Sequence, residues 1–191
     1  MQSIRHNGDP DDFLLDAARD CLLAVGWRRT TLTDVARRAG LSRMTIYRRW
    51  PDMASLLSDL MVREWSGVVE QAALHGESAS PDRLAAGVAN TVRALRENAL
   101  FRKIVEVDPE LLLPYLLDRR GRTQDSLLGL LEAAIANGQA DGVVRAGDPE
   151  LMARSILLTA HGFALSAQTM TLPIAALDAE LCTLTERYLA R

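Results

Sequence analysis

The sequence predicts an all-α fold, and three observations carry that expectation. Apolar residues recur at helical spacing over most of the chain, and no stretch sustains the period-two alternation of a half-buried strand. Asp9-Pro10, Ser80-Pro81, Asp108-Pro109 and Asp148-Pro149 each set a capping side chain before a proline. Proline suits the first helical position because the N–H it lacks would find no intrahelical partner there. Gly26, Gly40, Gly76 and Gly138 stand where the helical patterns run out, as helix-ending glycines do.

The first helix is expected from about Pro10 to Val25, with Phe13, Leu14, Ala17, Ala18, Cys21, Leu22 and Val25 forming one buried stripe. A second helix begins at Thr31, where Asp34, three residues on, completes a capping box with Asp in the usual Glu place. Leu32, Val35, Ala36 and Ala39 face inward from it. Gly40-Leu41 makes a turn and Ser42 caps a short third helix. Pro51 ends that helix, because the residue before a proline disfavours helical backbone. A fourth helix runs from about Asp52 to about Leu74, and Gly76–Pro81 reads as a linker. Further helices are expected at about 82–97, 99–106, 109–118, 122–137, 149–170 and 174–190, with a polar loop over Gly138–Gly147.

The chain has 191 residues, 48% of them hydrophobic and 25% charged, which is enough apolar material for a sizeable core. Cys21 and Cys182 lie far apart within apolar helical patterns, so a reducing, cytoplasmic setting is expected rather than a disulfide framework. No apolar run approaches the roughly 18–20 residues that span a bilayer, and the first ten residues hold no apolar signal core, so no membrane partner is expected. The net charge of −3 hides a strong local asymmetry. Between Arg28 and Arg49 stand Arg28, Arg29, Arg37, Arg38, Arg43, Arg48 and Arg49 against one acid, Asp34. Such a patch reads either as a solvated helical face or as a surface that attracts phosphates.

Two short helices joined by a glycine turn, with arginines on the second, form a helix-turn-helix pattern. The run Gly26-Trp27, Thr30-Thr31, Val35-Ala36, Ala39-Gly40-Leu41-Ser42, Ile46-Tyr47 and Trp50 resembles the signature of the TetR (tetracycline repressor) family. The resemblance covers about 40 residues and implies a three-helix DNA-binding domain at 1–51. A larger helical ligand-binding and dimerisation domain would follow at 52–191. It also implies a transcriptional regulator, usually a repressor, that binds a palindromic double-stranded DNA operator as a homodimer and is released by a small-molecule effector.

Small Ala36, Ala39 and Gly40 let the two helices approach, while Ile46 and Trp50 are expected in the core. Thr31 and Ser42 are caps whose helix N-termini also suit phosphate. By resemblance, Arg43, Met44 and Thr45 reach base edges, where Arg43 suits guanine and Met44 or Thr45 a thymine methyl. Tyr47 reads as a core aromatic or, by resemblance, as a hydroxyl contact to phosphate. Arg48 and Arg49 are expected on phosphates, and Thr33 at the groove edge. Family members often carry a lysine just after the closing turn, where this chain has Met53.

The larger region is less specific. Leu111, Leu112, Leu113, Leu116, Leu117, Leu127, Leu128, Leu130 and Leu131 exceed what one helical face of a small bundle can bury, so some line a cavity or their helices are central. Trp65, Phe101, Tyr115, His161, Phe163 and Gln168 are the candidates for an effector pocket, with an apolar or aromatic effector of few charges expected. An isolated His161 reads equally as a satisfied core or interface residue. Leu157, Ala160, Ala164, Leu165, Leu181 and Leu184 are the candidates for a dimer interface on the last two helices, or else for each subunit's own core. No phosphate-binding glycine loop, nucleophile elbow or His-Glu-x-x-His helix occurs, and His6, His75 and His161 are isolated. An enzyme, a metal site and a cofactor are therefore not expected.

Overall fold

The computed structural model describes residues 10–72 and 79–191. The Asp9 cap, Gly76 and the end of the fourth helix near Leu74 lie outside the described residues. Ten α-helices follow in order among them: α1 (Pro10–Val25), α2 (Leu32–Arg38), α3 (Arg43–Arg49), α4 (Met53–Ala72), α5 (Pro81–Glu97), α6 (Ala99–Val107), α7 (Leu113–Leu117), α8 (Arg122–Ala140), α9 (Pro149–Ser166) and α10 (Ile174–Leu189). No described residue is in a strand.

The apolar residues separate into two cores. The first joins Leu14, Ala18 and Leu22 of α1 to Val35, Ile46 and Trp50, and continues through Leu56, Leu57 and Leu60 of α4 to Leu100, Phe101 and Ile104 of α6. The core of the first three helices is thus shared with α4 and α6. The second packs α5, α8, α9 and α10 around Leu84, Val92, Ile135, Met152, Ile156, Leu181 and Leu189. Between α5 and α10 the buried Asp178 receives Arg96 and Arg93. Arg96 also donates to the Phe163 carbonyl at 3.3 Å. Each oxygen of that buried carboxylate therefore accepts a charge-assisted hydrogen bond.

Several expectations need correction. Val25 is exposed and does not belong to the buried stripe of α1. Gly138 does not end a helix but sits inside α8, where a Cβ would lie 2.5 Å from Val144 Cγ2 and 2.7 Å from the Ala79 carbonyl oxygen. It is a close-approach glycine, and the helix runs on to Ala140. The expected 109–118 helix divides into a 3-10 turn at Pro109–Leu111 and α7, since Pro114 falls within one turn of Leu113 and cannot donate to a continuing ladder. The expected 149–170 helix stops at Ser166, and Ala167–Met170 is 3-10. Of the prolines expected to follow a cap, Asp148 caps α9 by accepting from the Glu150 N–H at 3.0 Å, whereas Ser80 and Asp108 make no capping bond.

Candidate DNA interface and ligand cavity

Both short helices are closed at their N-termini by their own side chains. Thr31 Oγ1 accepts from the Asp34 N–H at 3.2 Å, and Asp34 Oδ2 accepts from the Thr31 N–H at 3.2 Å. The Thr31 hydroxyl also donates to Asp34 Oδ2 at 2.5 Å, and this bond is the main reason the Asp34 carboxyl lies below its ordinary pKa. Ser42 Oγ accepts from the Thr45 N–H at 3.2 Å and lies 2.9 Å from Thr45 Oγ1. Between the helices, the Leu41 N–H donates to the Ala36 carbonyl at 2.9 Å. Ile46 and Trp50 anchor α3 from beneath, both buried. Local bonding of this kind holds α3 in a fixed position against α1 and α2.

The outer face of α3 then follows from helical geometry. Arg43, Met44, Tyr47 and Arg48 are exposed, Met44 at 77%. Thr45 and Thr33 are half-buried, with Thr45 tied to the Ser42 cap. The arginines are less equal than their clustering implies. Arg37 pairs with Asp34 at 2.6 Å, Arg38 with Asp20 at 3.1 Å, Arg28 with Glu110 at 2.8 Å and Arg49 with Asp11 at 2.7 Å. Arg49 also lies over the Trp50 ring, 5.9 Å from its centroid. Arg43 and Arg48 form no ion pair with a described residue, and they flank the exposed face of α3. Arg49, by contrast, ties the end of α3 to the start of α1. Met53, at the position where family members often carry a lysine, packs half-buried against the first core.

A cavity of about 350 Å³ opens among α4–α9. Trp65, Phe101, Tyr115 and His161 come together on its wall, with the Trp65 and Phe101 rings edge to face at 6.2 Å. Phe163 and Gln168 do not join them. Phe163 packs against the second core, and Gln168 is exposed on the 3-10 turn, because α9 ends before reaching it. Five of the leucines that seemed too many for one face line the cavity: Leu112, Leu116, Leu127, Leu130 and Leu131. Among the described residues the wall carries one charged side chain, Arg122, whose guanidinium meets Asp59.

Four of the interface candidates face the same cavity. Leu157, Ala160, Ala164 and Leu165 line it, so they look into the subunit. Leu181 is fully buried in the second core, and of this group only Leu184 is exposed. The outward apolar residues of α9 are Leu151 and Leu158, the latter in the same apolar run as those candidates, at 62% and 71% exposure and two helical turns apart. Helical periodicity found the apolar positions of α9 but not which of its two apolar sides faces outward.

Sequence reasoning missed three polar residues. Gln124 Oε1 accepts from the Gly121 N–H at 2.7 Å, its Nε2 donates to the Tyr115 carbonyl at 3.2 Å, and the same Nε2 lies 3.1 Å from His161 Nε2. Gly121 and Gln124 stand three residues apart, the spacing of half a capping box, which was a legible signal. Asp59 Oδ2 accepts from Trp50 Nε1 at 2.8 Å while its other oxygen meets Arg122. The buried Asp108 accepts from the Trp27 N–H at 2.7 Å. Asp59 and Asp108 thus each join the helix-turn-helix to an element carrying cavity-wall residues.

Comparison with known proteins agrees with this geometry. Residues 14–60 match the family described as bacterial regulatory proteins, tetR family. A helix-turn-helix-type transcriptional regulator of Mycobacterium bovis is 33% identical over 178 residues, covering 92% of each chain. SmeT, the repressor of the Stenotrophomonas maltophilia multidrug efflux pump SmeDEF, superposes with a TM-score of 0.70 at 20% identity, covering 97% of this chain and 92% of SmeT. A Rhodococcus protein of unknown function covers both chains completely with a TM-score of 0.75, again at 20% identity. These structural likenesses show the fold.

Proposed function

Because this chain belongs to the tetR family of bacterial regulatory proteins and is a helix-turn-helix transcriptional regulator, we propose that it is a cytoplasmic, homodimeric repressor whose operator affinity falls when a small apolar molecule fills the cavity. The observation that carries this reading is the path Arg122–Asp59–Trp50. It links the cavity wall to the residue that closes the recognition helix.

Arg43 and Arg48 bring uncompensated positive charge to the outer face of α3, with Arg43 directed to a base edge and Arg48 and Tyr47 to phosphates. Thr31, Ser42 and Thr45 act chiefly as caps, and phosphates approach the helix ends they close. Thr33 lies at the groove edge, and Met44 supplies an apolar contact to a thymine methyl. Dimerisation uses the outward faces of α9 and α10 through Leu151, Leu158 and Leu184. Two recognition helices then meet an inverted repeat with half-sites about one helical turn, ~34–36 Å, apart.

A guest in the cavity displaces Arg122 or α4 and so alters the spacing of the two α3 helices, which a stiff duplex does not follow. The cavity wall presents no unpaired charge among the described residues, so the guest is uncharged. SmeT has been crystallised with triclosan, a precedent for a small ligand on this fold. The test is a mobility shift on DNA flanking the protein's own gene, repeated at two salt concentrations, followed by a screen of small apolar molecules for release. Specific retention that weakens with salt and is reversed by a cavity ligand is the expected result. Equal retention of random DNA counts against it.

A further inference from the structure

We propose that the cavity selects an uncharged, largely apolar guest bearing a carbonyl-type oxygen, which accepts a hydrogen bond from Nδ1–H of His161 held in a single tautomer by Gln124. This rests on the reading of the cavity as the effector site and specifies the chemistry of that effector.

The argument begins with the Gln124 amide. A backbone N–H from Gly121 points at one end at 2.7 Å, and the Tyr115 carbonyl lies 3.2 Å from the other. The first position requires the amide oxygen and the second the amide nitrogen, so two backbone groups fix which way the side chain faces. The amide nitrogen has a second hydrogen, and 3.1 Å away stands His161 Nε2. An NH₂ group only donates, so Nε2 must accept, and the imidazole proton is left on Nδ1. Burial also holds the His161 pKa below its ordinary value, which keeps the ring neutral.

Nδ1 has no partner among the described residues, and it is not among the sealed, unpartnered side-chain atoms. His161 is itself a wall residue of the cavity. Of the wall hydroxyls, Thr91 donates to the Gly87 carbonyl at 2.8 Å, and Ser58 accepts from Arg122 at 3.3 Å. A second donor, Trp65 Nε1, is buried on a wall residue without a partner. His161 Nδ1–H and Trp65 Nε1–H both call for an acceptor, and a guest offering only donors would leave them unmet. A ketone, ester or lactone oxygen on an apolar body fits. A cation has no counter-charge there.

The test uses three compounds of nearly one shape: butylbenzene, benzylacetone and the secondary alcohol from its reduction. Their affinities for the full-length protein are measured by ligand-detected NMR at about pH 8.5, well above the ordinary histidine range. His161→Phe should weaken benzylacetone about fivefold and leave butylbenzene unchanged. Gln124→Glu places an acceptor opposite Nε2, moves the proton there and turns Nδ1 into an acceptor. It should weaken the ketone by a similar factor while the alcohol, which can also donate, is retained. If the ketone and butylbenzene respond alike to both variants, the cavity reading stands and the His161 assignment is overturned. If none of the three compounds binds the wild-type protein, the cavity reading falls as well.

Discussion

The indole N–H of Trp50, at the C-terminal cap of the recognition helix, donates to the carboxylate of Asp59, one turn and a half into α4, across 2.8 Å. Trp50 is almost fully buried, so this proton has no solvent to fall back on. Asp59→Ala should destabilise the protein by about 1–3 kcal/mol, the cost of an unsatisfied buried donor, read as a lower Tm. Asp59→Asn keeps an acceptor and should cost less.

Burial opposes ionisation of Asp59, but the hydrogen bonds from Trp50 and Arg122 prevail and hold its pKa below the ordinary carboxylate value. A folded-state pKa below the unfolded one contributes stability above the unfolded value, and that contribution is lost as pH falls through the folded one. Thermal melts should show wild-type stability declining below the ordinary carboxylate range. The decline should be shallower in Asp59→Asn. An identical acid slope in the two proteins would remove Asp59 from the account.

Arg43 and Arg48 should separate by what they read. Arg43→Ala is expected to cost about 1–3 kcal/mol on the operator and to relax preference at one base pair. Arg48→Ala should weaken all sequences alike and reduce the salt slope by about one. Arg49→Ala, already paired with Asp11, should change DNA affinity least. Quantitative mobility shifts on operator and random DNA decide among the three.

The dimer prediction turns on which side of each helix faces out. Leu158→Glu with Leu184→Glu should give a folded monomer by sedimentation, with operator binding lost. Leu181→Ala lies in the second core and should instead cost about 2–5 kcal/mol of stability. A doubly charged variant that remains dimeric would move the interface elsewhere.

Gly26 combines a φ of +81° with a Cβ position 2.9 Å from Asp108 Oδ2. Gly26→Ala is therefore expected to cost more than the ~1–2 kcal/mol of left-handed backbone alone, since it also presses on the carboxylate that accepts from Trp27. Chemical denaturation measures it, and a loss under 1 kcal/mol would mean that the turn relaxes freely.

What the sequence made legible was local. Thr31 with Asp34 and Ser42 with Thr45 cap their helices because capping depends on residues three apart, which a sequence displays. Gly138 was read as a helix end because a sequence does not show that Val144 and the Ala79 carbonyl crowd it. Asp108 stands before a proline like a cap, yet its carboxylate reaches Trp27, 81 residues away. Arg49 is one of seven arginines between Arg28 and Arg49 and becomes structural only when α1 brings Asp11 beside it. Leu157 and Leu158 are neighbours of equal hydrophobicity, and only packing decides that one faces the cavity and the other faces out.

The central claim is that the cavity and the operator compete for one conformational equilibrium. Reciprocal titration tests it most directly: the affinity of a cavity-bound ketone is measured for the free protein and for the protein saturated with operator DNA. The account predicts weaker ketone binding to the DNA complex by a coupling of about 1–3 kcal/mol, roughly 5–150-fold, with operator affinity reduced by the same factor when ketone saturates. Equal ketone affinity in the presence and absence of operator would contradict it.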